Sequence, residues 1–345
     1  MKKRETELDI LRLVAMLSVI WVHVGGMRTG SLPTSDPNCQ WLIFLKSIVT
    51  WQVPVYVMIS GRFFLDSERQ MPFTKLLKAI ERLVIAFVVW DIIYQIYYIS
   101  TDAYVGLNWK GILSQALIGP YHFWYLYMIV GLYLITPFLR KITEEKRTTE
   151  YFIVLFFIFM LLTKYCVKLP FVGSTLDSIL NNMDMQFVLG YSGYYVLGYY
   201  LRRYPLSDKM ELMLYICGAA LLLSGAAANT ICSVRENAYT ERFTGYTNPN
   251  TIIVAAAIYT LFIKRIGKVS FSQKVVHLIS VLSEYSFGVY LVHALILNMF
   301  EVVGLEPTVL HPLLAMPLIT LLAFMITVVI VMLVRKIPKL GKAIT

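Results

Sequence analysis

The sequence contains little charge for its length. Charged residues make up 15% of the 345 residues and hydrophobic ones 58%, whereas soluble domains average about 25% and about 45–50%. This composition excludes an ordinary soluble domain and predicts an all-α, polytopic membrane protein. The length allows about ten transmembrane helices of about 20 residues, which leaves no room for a second soluble domain. Residues 1–345 are therefore expected to form a single transmembrane domain.

Cysteine is also scarce. The four cysteines show neither a CxxC pair nor the spacing of a metal site, so the sequence predicts no metal centre. Cys39 and Cys232 are expected in outer loops, where a disulfide between them is the less favoured alternative to free thiols. Cys166 and Cys217 are expected to be core thiols.

Acidic residues are fewer than basic ones. The chain has 21 Asp and Glu against 31 Lys and Arg, a formal net charge of +10. The basic residues lie in short loop clusters rather than along one face, so no nucleic-acid partner is expected and membrane orientation accounts for them. If the amino end is cytoplasmic, the inner segments carry about four times as many basic residues as the outer ones. Both termini are therefore expected in the cytoplasm.

The apolar segments that this topology uses are approximate in their bounds. They are 8–26, 41–65, 76–98, 121–139, 151–167, 186–201, 210–229, 251–266, 281–302 and 313–334. The basic residues expected inside are Lys2, Lys3, Arg4, Arg69, Lys75, Lys78, Arg140, Lys141, Lys146, Arg147, Arg202, Arg203, Lys209, Lys264, Arg265, Lys268, Lys274, Arg335, Lys336, Lys339 and Lys342. Those expected in outer loops are Arg28, Lys110, Lys168, Arg235 and Arg242. Pro54 and the pair Ser60-Gly61 predict a kink in the second span.

The first span, LDILRLVAMLSVIWVHVGG, carries two ionisable groups, Arg12 and His23. A charge near the bilayer centre costs at least a few kcal/mol, so such residues face the bundle interior and are candidate site residues. Their spacing corresponds to three helical turns plus about 20°, which places both on one face about 16 Å apart. The sequence thus predicts a fixed cation towards the cytoplasm and a titratable base further out.

Other polar residues are candidates with a plainer alternative. Lys75, Lys78 and Arg82 are spaced to share one helix face at the inner side, where they suit either donor phosphates or simple positive-inside anchoring. At the outer end of the fourth span, His122, Trp124 and Tyr125 suit either a platform for a sugar ring or an interfacial aromatic belt.

Two further polar groups and Arg12 keep open alternatives of their own. His293 lies in the middle of the ninth span, where it suits either the site or a helix–helix hydrogen bond. Asp91 is expected to be buried and to pair with a basic group or with tyrosine hydroxyls. Arg12 has the alternative of a structural pair with Asp9 one turn earlier.

Five segments, in chain order, resemble the acyltransferase-3 family of membrane O-acyltransferases. They are the Arg-x10-His pair inside LDILR…H, VPVYVMISGRFFL at 53–65, the basic residues ahead of LVIAFVVW, HFWYLYMIVGLYLITPFL at 122–139, and YSFGVYLVHALIL at 285–297. The likeness covers nearly the whole chain. Two positions depart from the family pattern: Ala86 replaces a frequent proline, and the acid Glu81 stands beside Arg82.

The resemblance implies a multi-pass enzyme of a bacterial plasma membrane that moves an acyl group, acetyl in the first instance, from coenzyme A to a hydroxyl. The donor would enter from the cytoplasm, and the acceptor would be an extracytoplasmic cell-surface glycan or its lipid-linked precursor. His23 is expected to be the general base, with an acyl-histidine intermediate as the less favoured variant. Arg12, Lys75, Lys78 and Arg82 are expected to bind the donor. His122, Trp124, Tyr125 and His293 are expected near the acceptor.

Two other functional classes remain as alternatives. A polysaccharide or small-solute transporter could use the helix face that carries Arg12 and His23, its polar stripe, as a path for the solute. The sequence, however, has no convincing inverted repeat. A non-catalytic scaffold or sensor would tolerate replacement of Arg12 and His23.

Overall fold

The computed structural model describes residues 5–101, 103–104, 106, 108–185, 190–338 and 340–345, and within these ranges it is helical, with no strand. The helices are α1 (Thr6–Thr29), α2 (Pro37–Ser47), α3 (Gln52–Phe64), α4 (Phe73–Ser100), α5 (Trp109–Ile118), α6 (Trp124–Ile142), α7 (Lys146–Lys164), α8 (Gly173–Met183), α9 (Tyr191–Arg203), α10 (Asp208–Arg235), α11 (Pro249–Lys264), α12 (Gln273–Val302) and α13 (Pro312–Val334). The predicted inner residues Lys2, Lys3, Arg4 and Lys339, and the first residues of the predicted sixth span, 186–189, lie outside the described residues.

The prediction of an all-α, polytopic membrane protein is confirmed. In the described part of the chain, eight segments are long and apolar enough to cross a membrane. They are Thr6–Thr29, Pro37–Phe64, Tyr121–Ile142, Lys146–Lys168, Asp208–Arg235, Pro249–Lys268, Gln273–Val302 and Pro312–Val334. The predicted third and sixth spans form helices α4 and α9 but are not among these eight, and α9 has only 13 residues.

The second predicted span is two helices rather than one kinked helix. The helical hydrogen bonding stops between α2 and α3, and Pro54 lies within the first turn of α3. Proline is tolerated in that turn because its missing N–H would have no helical partner there. The break therefore precedes Pro54, and Gln52 becomes the first residue of α3.

The first helix lies at the centre of the bundle. It packs against α2, α3, α11, α12 and α13. The side chains of Leu11, Met16 and Ile20 are fully buried at these contacts. A helix surrounded on this many sides must direct its polar stripe into the protein, because no wide lipid-facing surface is left for it.

Helices α3 and α9 approach each other closely through two glycines. A Cβ added at Gly61 would lie 1.8 Å from the carbonyl oxygen of Tyr195, and one added at Gly198 would lie 2.1 Å from that of Met58. Small residues permit this backbone contact, as is common between membrane helices.

Ion pairs connect segments that the predicted topology puts on the same side. At the predicted inner side, the Glu5 carboxylate forms ion pairs with Arg62 at 3.1 Å and with Arg202 at 3.3 Å. At the predicted outer side, Arg28 pairs with Glu306. Burial opposes ionisation of Asp66 at the inner side, but hydrogen bonds from Arg62 and the Glu68 N–H, with the nearby arginine charges, hold its pKa below the usual value.

Both cysteines expected in outer loops lie in helices instead. Cys39 is buried in α2, and Cys232 lies in α10. The helices extend beyond the apolar runs, and α2 begins with an Asp36 side chain that caps the Asn38 N–H at 2.7 Å. All four cysteines are free thiols.

Candidate active site

A cavity of about 360 Å³ lies between α1, α3, α4, α6 and α12, with Tyr246 of the loop at residues 236–248 on its wall. Arg12 and His23 both line it, as their spacing on one helix face predicts. Aromatic residues, Tyr56 and Tyr125 among them, are frequent on its wall. The cavity therefore combines a mostly apolar wall with a few ionisable side chains.

Arg12 is both paired and accessible to the cavity. Its Nη1 donates to Asp9 at 3.0 Å and to the hydroxyl of Ser283 on α12 at 2.9 Å. The carbonyl of Arg12 accepts from the Tyr56 hydroxyl at 2.8 Å. The structural pair with Asp9 is therefore present, and it fixes the guanidinium in place while a quarter of the side chain (26%) stays exposed.

His23 belongs to a cluster of three histidines. Its ring centroid lies 5.1 Å from that of His293 and 6.4 Å from that of His122, and Tyr121 packs against it at 5.1 Å. The sequence predicts these histidines near the site, and the bundle brings all three rings together.

The protonation of His293 follows from its hydrogen bond. Its Nδ1 lies 2.7 Å from the carbonyl of Tyr290, which can only accept, so this nitrogen carries the proton and Nε2 of the neutral ring is an acceptor. That Nε2 and both nitrogens of His122 are buried and have no hydrogen bond of normal geometry to any described residue, although the Leu291 carbonyl lies near His122. The cluster thus has unused nitrogen atoms beside His23.

The predicted inner basic cluster divides in two. Arg82 lines the cavity, donates to the main-chain carbonyl of Thr345 at 2.7 Å and lies over the ring of Phe287. Lys75 and Lys78 are exposed on the first turns of α4 and are not part of the cavity wall. Of these three residues, Arg82 alone shares the cavity wall with Arg12.

The predicted outer aromatic residues also line the cavity. Trp124 stacks on Tyr246 with ring centroids 5.7 Å apart and an interplanar angle of 28°. Tyr125 contacts Tyr290 edge to face at 5.5 Å. Trp124 is 37% exposed, so it fits both the cavity wall and the interfacial position that the sequence left open.

Sequence reasoning missed Gln52, Tyr246 and Tyr290, which all line the cavity. Gln52 could have been found, because an amide inside an apolar span is a polar signal of the same kind as Arg12. Tyr246 could not, because it lies in a loop that reaches the bundle only in the folded chain. Burial, followed by the charge of Glu241, raises the pKa of Tyr246, so its hydroxyl keeps its proton.

Asp91 lies elsewhere and has a local role. Its carboxylate accepts from Gln95 at 2.8 Å, and Gln95 in turn accepts from the hydroxyl of Tyr104. Within the described part of the chain, Asp91 therefore joins a tyrosine through a glutamine rather than pairing with a basic group. Among the described residues, no group of three or more His, Cys, Asp or Glu side chains has the geometry to hold a metal.

The fold and the cavity define a class: a polytopic helical membrane protein whose bundle encloses two guanidinium groups and a histidine cluster. A family model described as an acyltransferase domain matches residues 5–336, nearly the whole chain. The chain belongs to this acyltransferase-3 family, as the five sequence segments predict, and it is a multi-pass membrane acyltransferase. No curated protein and no solved structure matches the chain.

Proposed function

We propose that the protein transfers an acetyl group from cytoplasmic acetyl-CoA to a hydroxyl of a cell-surface glycan, or of its lipid-linked precursor, outside a bacterial plasma membrane. The observation that carries this proposal is that Arg12, Arg82 and His23 line one cavity. A transfer across the membrane needs a site that donor and acceptor can both reach, because the acyl group must arrive at the outer side while the coenzyme stays on the inner side.

The donor binds from the inner end. Arg12 and Arg82 present permanently charged, planar donor groups that suit phosphate oxygens. The rise of about 16 Å between Arg12 and His23 matches roughly the reach of a pantetheine arm. Lys75 and Lys78, at the exposed start of α4, attract the anionic coenzyme without entering the cavity.

The chemistry takes place beside His23. The acceptor hydroxyl gives its proton to the neutral imidazole while its oxygen attacks the thioester carbonyl. A carbon–oxygen bond forms, the carbon–sulfur bond breaks, and the proton passes from the imidazole to the departing thiolate of coenzyme A. His122 and His293 surround the base, and Trp124 and Tyr125 receive the acceptor on the outer side.

The test is to supply radiolabelled acetyl-CoA to membranes that contain the protein and to measure label on envelope glycan. His23→Ala should lower the labelling about 10²- to 10⁴-fold, the usual range for loss of a general base. His277→Ala is the matched control, because His277 is exposed at the start of α12 and away from the cavity wall. Unchanged labelling in the His23 variant would rule out the base assignment. Absence of label with the wild type would favour the transporter alternative.

A further inference from the structure

Gln52 is a buried polar residue that the reaction described above does not use. It follows the break between α2 and α3, and only 1% of its surface is exposed. Its Nε2 donates to the hydroxyl of Tyr246 at 3.1 Å, whereas its Oε1 has no hydrogen-bond partner among the described residues. Buried amide oxygens are almost always bonded, so an unused acceptor on a cavity wall indicates a donor that arrives with a ligand.

Gln52 shares one wall of the cavity with Tyr246 and Trp124, and we call these three residues the outer wall. The ring of Tyr246 stacks on Trp124, and its hydroxyl accepts the hydrogen bond from Gln52. The main-chain carbonyl of Tyr246 accepts from the buried Tyr194 hydroxyl at 2.6 Å. Tyr246 is thus fixed through both its side chain and its main chain.

The loop that carries Tyr246 is fixed by polar contacts to the helices. The Asn229 side chain on α10 accepts from the Phe243 N–H at 2.9 Å and donates to the hydroxyl of Thr244. Lys46 on α2 pairs with Glu241 at 3.4 Å. These contacts fix the loop against the helices, so the fold determines the position of Tyr246 at the cavity.

The chemistry of the outer wall favours a neutral, hydroxylated ring. Aromatic faces pack against the apolar face of a sugar, and an amide oxygen accepts a hydrogen bond from a hydroxyl. None of the three residues carries a charge, so the outer wall does not match a phosphate-rich donor. Arg12 and Arg82 line other parts of the same cavity and do match one.

We infer that Gln52 is a specificity-determining residue for the acceptor: its Oε1 accepts a hydrogen bond from a hydroxyl of a sugar ring that packs against Trp124 and Tyr246. This inference rests on the proposed function and names the residue through which that site recognises a glycan. It separates acceptor recognition by Gln52 from donor binding by the arginines.

The test compares transfer with donor binding in the full-length protein. Gln52→Met keeps the length of the side chain and removes the amide. With radiolabelled acetyl-CoA as the probe, label on envelope glycan should fall about 10- to 100-fold, the effect of one lost hydrogen bond in a buried site. Binding of coenzyme A to the purified variant in detergent, measured by calorimetry, should stay within about twofold of the wild type. Gln115→Met, at an exposed position on α5, is the control and should change neither value.

The outcomes separate this inference from the proposed function. Wild-type labelling in the Gln52 variant would overturn the role of Gln52 and leave the proposed function intact. Loss of coenzyme A binding in the same variant would also overturn it, because the residue would then support the donor site or the fold. A wild type that neither binds coenzyme A nor labels glycan would remove the proposed function and the inference with it. Gln52→Leu, which also lacks the amide, serves if the methionine variant does not accumulate, and the same results decide.

Discussion

At the residue scale, Lys78 and Arg82 show how one helical turn can separate two residues of the same charge. Both lie near the start of α4, and both fit a phosphate site by sequence spacing. Arg82 lines the cavity, whereas Lys78 is exposed and is not part of the cavity wall. The difference arises because other helices pack against α4 at Arg82 and not at Lys78. The spacing of residues along one helix does not predict where such neighbours lie.

This difference gives a prediction about donor binding. Arg82→Gln should weaken coenzyme A binding by about 10- to 100-fold, because a charge-assisted hydrogen bond contributes about 1.5–3 kcal/mol. Lys78→Gln should change it by less than about twofold, since an exposed charge is screened. Calorimetric titration of both purified variants measures the two values. Equal losses in the two variants would contradict the distinction between the cavity and the exposed cluster.

The ring nitrogen of His293 that carries the proton is also determined by a single contact. The Tyr290 carbonyl assigns the proton of His293 to Nδ1, and the remaining nitrogen is left for the site. His23 therefore lies beside imidazoles that can accept or donate without carrying a permanent charge. A lysine or arginine in place of His293 would put a fixed positive charge next to His23, the proposed base, and hinder its protonation.

At the element scale, the contact between α3 and α9 supports the wall of the cavity. The two helices touch through Gly61 and Gly198, and α3 carries Gln52 and Tyr56 to the site. Any Cβ at either glycine meets backbone atoms, which cannot move aside as a flexible side chain does. The position of the cavity-lining residues on α3 thus depends on two residues without side chains.

The corresponding prediction concerns stability. Gly61→Ala should lower the free energy of unfolding by at least about 1–3 kcal/mol, because the added Cβ would lie 1.8 Å from a carbonyl oxygen and the helices must separate. The melting temperature in detergent should fall by several degrees. Gly131→Ala on α6 is the matched control, since a Cβ there meets nothing within 4 Å. Equal melting temperatures for the two variants would show that the contact contributes no stability.

At the scale of the whole molecule, the orientation in the membrane determines which end of the cavity receives the donor. The contrast in basic residues between inner and outer segments predicts cytoplasmic termini. Under that orientation Arg82 lies towards the cytoplasm and Tyr246 towards the outside, as the proposed transfer from inner coenzyme A to an outer glycan requires.

Single cysteines in a cysteine-free variant test this orientation. A membrane-impermeant maleimide applied to intact cells should label Ser35→Cys, which is exposed in the loop between α1 and α2. It should label Ser270→Cys, exposed before α12, only after the membrane is opened. Labelling of the second position alone in intact cells would invert the topology and with it the direction of transfer.

Much of the fold follows from local pattern. Apolar runs of membrane length predict the helices, and the helical period predicts that Arg12 and His23 face the same way. The break before Pro54 differs from the expected kink because proline suits the first turn of a new helix. The helix bounds at Cys39 and Cys232 differ because capping and turn residues, rather than hydropathy, decide where a helix ends.

Residues close together in the chain are enough to predict that this protein lies in a membrane, that it is helical, and that Arg12 and His23 share one face of α1. Only the tertiary structure decided that Arg82 and not Lys78 reaches the cavity, that three histidines meet, and that Tyr246 contacts Gln52. Those contacts join segments far apart in sequence, and the packing of whole helices determines which side chains share one enclosed space.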